Sequence, residues 1–162
     1  MKMRWATLWK VLPVPIVAFD RMPHRLVGLS MGMFVVVRSD HLGDRPTIVH
    51  ELEHCKQFWR GGALVHMVRY YLSRCYRLRM EVEAFRAELA ACEPEDREAR
   101  LDDAVRALAS GYHVGIDAQA CRHLLTCFPP SDDFSATSPG ATSPPLTSSP
   151  AVMARSTDST PR

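Results

Sequence analysis

Asp44-Arg45-Pro46-Thr47-Ile48-Val49-His50-Glu51-Leu52-Glu53-His54-Cys55-Lys56-Gln57-Phe58-Trp59-Arg60-Gly61-Gly62 reads as a helix with both ends marked. Asp44 is an N-cap residue with Pro46 at the second helical position, and the glycine pair is a stop signal. Ile48, Leu52, Cys55 and Trp59 recur at i, i+4, i+7 and i+11, an apolar stripe suited to a core. His50 and His54 lie on a different side, four residues apart, so both imidazoles can reach one ion. Neutral imidazole is a good zinc ligand, and a catalytic zinc keeps one position open for water. Glu51 flanks that position as a general base, able to take a proton from the water and pass it to a leaving amine. The expectation is a small zinc peptidase with Zn2+ as its one cofactor.

Two histidines do not complete such a site. Candidates for a third ligand are His66, Glu81, Glu83 and Glu88, with His113 and His123 more distant. Glu81 stands first, because Ala84 three positions later lets its helix approach the motif helix closely, as short carboxylate–zinc bonds require. Glu83 and His66 remain open alternatives.

Outward from the motif, Val14 to Phe19, Leu26 to Ser30 and Met33 to Arg38 read as short strands of a small antiparallel sheet or hairpin. After Gly62 the pattern is helical from Ala63 to Leu78, with Leu64, Val65, Val68, Tyr71, Leu72 and Cys75 on a broad apolar side. A third helix starts near Met80, breaks at Pro94 and resumes from Glu95 to Ser110, capped by Gly111. Asp117 caps a last helix through Leu125. Leu101 to Leu125 has a helix–turn–helix outline, but Arg122 is the only basic arginine or lysine in its second helix, so two packed helices are expected rather than a DNA reader. The fold class is therefore α+β. One domain spans residues 1–128. In residues 129–162, 7 prolines, 8 serines and 5 threonines without apolar periodicity predict a disordered tail.

Twenty Lys plus Arg against 18 Asp plus Glu, a formal charge of +2, argue against nucleic acid as partner. Five scattered cysteines without a C-x-x-C pair fit a reducing compartment, and cytoplasm is the expected location. Lys10, Pro13 and Pro15 interrupt the apolar N-terminus, and Val11 to Phe19 is too short to span a bilayer. The first residues are expected to form an amphipathic lead-in around Trp5 and Trp9.

H-E-x-x-H on one helix, followed after 26 residues by Glu81-Val82-Glu83-Ala84, resembles the gluzincin arrangement of zinc metallopeptidases. The likeness is to small bacterial and phage metallopeptidases, including the minigluzincins, and covers roughly residues 14 to 90. In these a short β-hairpin precedes an active helix ending in a stretch like His54-Cys55-Lys56-Gln57. The resemblance implies a zincin-like fold, His50, His54 and Glu81 as ligands, Glu51 as general base, and a peptide or protein substrate. It also implies that an extended peptide lies against the strand Met33 to Arg38 by β-augmentation. The gluzincin oxyanion stabiliser has no marked counterpart; Tyr70, Tyr71, Tyr76, His66 and Arg74 occupy the right stretch. A non-catalytic accessory or structural domain on the same scaffold is the alternative.

Overall fold

A computed structural model describes residues 2–22 and 27–127. The expected tail, residues 129–162, lies outside the described residues, as does Leu26 at the start of one expected strand. The architecture is α+β: a four-stranded sheet followed by five α-helices.

The first strand, β1 (Lys2–Leu8), pairs antiparallel with β2 (Leu12–Phe19). The turn between them carries Trp9 and Lys10 at φ 48° and 60°, closed by Val11 N–H donating to Leu8 at 3.0 Å. Two positive φ values make this a type I′ turn, whose twist suits a hairpin. The expected lead-in around Trp5 and Trp9 is thus a strand and its turn. Pro13 and Pro15 fall in the part of β2 that pairs only with β1; pairing with β4 (Val35–Arg38) begins at Ile16. No ladder donor to β4 is lost there.

The sheet order is β1-β2-β4-β3, with β3 (Gly28–Ser30) antiparallel to β4 and β4 parallel to β2. The expected all-antiparallel sheet is therefore corrected to a mixed one. With β3 in the outer position, β4 lies between β2 and β3 and runs in the direction of β2. The strand at 33–38 is interior, and among the described residues the edge strand beside the motif helix is β3. Any peptide added to the sheet on that side would pair with β3.

Alternation along β2 and β4 buries Val14, Ile16, Ala18, Val35 and Val37 on one face. That face packs on Ile48, Leu52 and Cys55 of α1 (Arg45–Arg60), the stripe read from the sequence. Trp59, at the end of the stripe, stays exposed and donates from its indole to the Gly32 carbonyl at 3.0 Å.

The chain then departs from the expected single helix over 63–78. It forms α2 (Ala63–Leu72), stops at Ser73, and restarts as α3 (Arg74–Ala90). Ser73 explains the break: its hydroxyl accepts from Tyr76 N–H at 3.2 Å, an N-cap inside the apolar run. Glu81 consequently sits in the middle of α3 rather than at a helix start. As expected, α4 (Arg97–Arg106) follows Pro94 and α5 (Ala118–Thr126) is capped by Asp117. The helix expected to start near Met80 is instead the later part of α3. Gly111 ends a π-helical turn at Ala107–Gly111 without the positive φ of a glycine cap. A second core joins Val82, Phe85 and Leu89 of α3 to Leu101, Val105, Leu108, Cys121 and Leu125. The helix–turn–helix segment is part of that core, and Arg122 pairs with Glu98 and Asp102.

Candidate metal centre

α1 lies between the sheet and α3. With its apolar stripe committed to the sheet, His50 and His54 face α3, which offers Glu81, Ala84 and Glu88 at i, i+3 and i+7. These spacings fall on one helix face. Ala84 is fully buried, the small residue at the position expected to allow close approach.

Three potential ligand atoms, one from each of His50, His54 and Glu81, lie within 4.8 Å of one another. Nε2 of His50 is 3.8 Å from Glu81 Oε2, and Nε2 of His54 is 3.6 Å from Glu81 Oε1. Ligands about 2.1 Å from a tetrahedral ion would stand about 3.4 Å apart, so the group would have to contract, by at most about 1.4 Å for its widest pair. This buried group could hold a metal ion. Glu81 is 1% exposed, and its Oε2 has no hydrogen-bond partner. A buried carboxylate oxygen without a donor is costly unless a cation satisfies it.

Surrounding groups fix these side chains. His54 Nδ1 lies 2.9 Å from Gln57 Oε1, which suits an N–H there and turns Nε2 toward Glu81. Gln57, itself buried, donates from Nε2 to the Met80 carbonyl at 2.9 Å, tying α1 to α3. The Tyr70 hydroxyl, from α2, donates to Glu81 Oε1. On the far side of His50, Nδ1 is 2.9 Å from Glu88 Oε2, an approach too oblique for a hydrogen bond. Glu88 Oε1 faces Arg100 at 3.3 Å, and Arg100 bridges to both oxygens of Asp44 at 3.0 and 2.9 Å. Asp44 makes no side-chain cap to the helix backbone; its Oδ2 accepts instead from the Thr47 hydroxyl at 2.6 Å.

Glu51 is buried against β3. A Cβ on Gly28 would sit 2.5 Å from Glu51 Oε1, so the glycine makes room for the carboxylate. Burial pushes the Glu51 carboxyl above the usual carboxylate range, against the pull of His50 and His54. Burial works against a charged His54, but the hydrogen bond and Coulomb attraction to Glu81, helped by Glu51 and Gln57, outweigh it and carry His54 up to about 9. Glu81 is moved below its usual range: its own burial opposes the shift, and His54, His50 and Tyr70 overcome it. Carboxylates outnumber fixed cations here, an electrostatic setting suited to a positive ion.

The other candidates divide clearly. Glu83 accepts from Arg79 at 3.1 Å and from Gln57 at 3.4 Å, outside the cluster. His66 is buried with Nδ1 3.0 Å from the Tyr76 hydroxyl, and its ring stacks on Tyr70. Glu88 stands at the Nδ1 side of His50 instead of joining His50, His54 and Glu81 in the group. Tyr71 and Arg74 are exposed. Three further residues contribute, of which only Gln57 stands in a stretch the sequence marks, His54-Cys55-Lys56-Gln57. Gln57 and Arg100 orient ligands or their neighbours, and the Tyr112 hydroxyl lies against Glu81, pushed up first by burial and then by that carboxylate. The i+3 spacing of Gln57 from His54 was a usable signal; Tyr112 arrives from a distant turn and had none.

Comparisons with protein-family models, with curated proteins and with solved structures find no match for this chain.

Proposed function

We propose that the protein is a zinc-dependent peptidase in which His50 and His54, through Nε2, and Glu81, through Oε2, hold the ion and Glu51 moves the proton. The observation that carries this reading is the buried, unpartnered Glu81 Oε2 beside His50 Nε2, in a group whose potential ligand atoms, those of His54 included, lie within 4.8 Å of one another. When bound, zinc would supply a Lewis acid that polarises a substrate carbonyl and makes water a better nucleophile. Glu51 has a raised proton affinity that suits a base which takes a proton and gives it back to the leaving amine. Gly28 leaves the backbone of β3 clear of side-chain bulk beside Glu51, where an extended peptide can pair with the edge. Tyr70 holds Glu81, and of the five residues considered as oxyanion donors it alone hydrogen-bonds a member of the cluster.

The burial of Glu51 and of the ligand cluster favours a second reading, a metal-clamped structural domain without turnover. The test is metal content of the purified chain beside His50→Ala and Glu81→Ala, with hydrolysis of a mixed peptide library. One zinc per chain, lost in both variants, together with hydrolysis abolished by Glu51→Gln, supports the enzyme. Zinc without any hydrolysis supports the structural domain. A chain that takes up no metal, even with zinc added, sinks both.

A further inference from the structure

The helix α2 faces the wrong way for a core element. In Ala63–Leu72 the only buried residue is His66, with Tyr70 half-buried over Glu81. Leu64, Val65, Met67, Val68, Tyr71 and Leu72 are all exposed, Leu64 and Leu72 at 77% and 80%. At 3.6 residues per turn these six fill an arc of about 160°. The apolar side expected to pack inward is thus presented to solvent, while the inner side carries the histidine and tyrosine of the metal centre.

A second exposed apolar element lies against the same end of α1. Met31, Met33 and Phe34 are exposed around Gly32, which sits against the Phe58 ring, and Phe58 also meets His66 of α2. The β3–β4 turn and the first turn of α2 therefore meet at the same end of α1, where Trp59 is exposed.

Charge selects the occupant. Residues 58–79 contain Arg60, Arg69, Arg74, Arg77 and Arg79 and not one Asp or Glu. Arg77 donates only to carbonyls of Tyr70, Tyr71 and Tyr112, and Arg79 pairs with Glu83. Among the described residues no ion pair involves Arg69 or Arg74. A second copy brought face to face would set arginines against arginines. An apolar helix face bordered by arginines matches a surface that is greasy within and negative at its rim. No described helix is long and apolar enough to cross a membrane, so the contact is with one leaflet.

We propose that α2, with the β3–β4 turn, docks the protein on the surface of an anionic lipid bilayer. The apolar arc enters the headgroup–acyl boundary, Tyr71 and Trp59 sit at headgroup depth, and Arg69 and Arg74 meet lipid phosphates and carboxylates.

The experiment is co-sedimentation of the full chain with phosphatidylcholine vesicles, with and without phosphatidylserine, at rising salt. Variants are Leu64→Glu/Leu72→Glu and, separately, Arg69→Ala and Arg74→Ala. All four sites are exposed, and thermal melting followed by circular dichroism checks that each variant folds. Binding is expected to the phosphatidylserine vesicles, weakening with salt. It should fall at least ten-fold in the double glutamate variant and roughly five-fold for each arginine removed. Absent vesicle binding overturns the proposal, as does binding that the glutamates leave intact. Concentration-dependent dimerisation without vesicle binding, abolished by the glutamates, overturns it in favour of a second copy.

Discussion

The Tyr70 hydroxyl donates to Oε1 of Glu81 and leaves Oε2 turned toward His50, so one residue of α2 decides which carboxylate oxygen is available to an ion. Tyr70→Phe removes that donor while keeping the ring stacked on His66. Zinc affinity measured by chelator competition should fall about 10- to 100-fold, the usual cost of losing a group that orients a ligand. Unchanged affinity would mean that Tyr112 alone holds the carboxylate.

Gly28→Ala tests the contact between the sheet edge and Glu51. The added methyl would meet Glu51 Oε1, Cδ and Cγ, at 2.5, 2.8 and 2.8 Å. Overpacking of this kind costs about 1–3 kcal/mol, read as a lowered urea midpoint. Zinc stoichiometry should persist because no ligand is touched, whereas hydrolysis should drop sharply as Glu51 is displaced.

The metal-free protein should weaken as pH rises. His54 has a folded pKa near 9 against an ordinary 6.5, so its contribution is fully present below about 6.5 and is lost as pH climbs through 9. Glu81 acts in the opposite sense: its lowered pKa contributes above the usual carboxylate range and is lost on acidification. Apo-protein melting temperatures should therefore decline between pH 6.5 and 9, and His54→Gln should flatten the decline.

Arg100 is the cation between two carboxylates of different elements. Arg100→Ala leaves Glu88 buried beside His50 without its guanidinium and frees Asp44 at the start of α1. A loss of about 1–3 kcal/mol is expected by chemical denaturation, since Arg100 itself is only partly buried. Zinc should still bind, because none of the three proposed ligands is removed.

The parts of the fold legible in the sequence were those set by local chemistry. Asp44 and Gly61-Gly62 bounded α1, Asp117 capped α5, and Val35 and Val37 marked a strand. The pairing of His50 and His54 with Glu81 was legible too, because helical spacing fixes which side chains share a face. What stayed hidden was set by the chain as a whole. β1 escaped because its turn uses Trp9 and Lys10 at positive φ, where Gly or Asn would have announced it. The parallel β2–β4 pairing depends on a crossover that no local pattern encodes. Periodicity located the apolar arc of α2 but gave no direction for it, and a single serine at 73 divided what looked like one helix.

The three proposed ligands sit on helices that belong to two different cores. His50 and His54 ride on the helix seated against the sheet, and Glu81 rides on the helix that anchors the C-terminal helices. An ion bound between them would act as a clasp across a seam, closing a ring of chain whose interior includes all of α2. Chelation should then loosen the seam, leaving Gln57 on the Met80 carbonyl and His66 against Tyr76 to hold α1, α2 and α3 together.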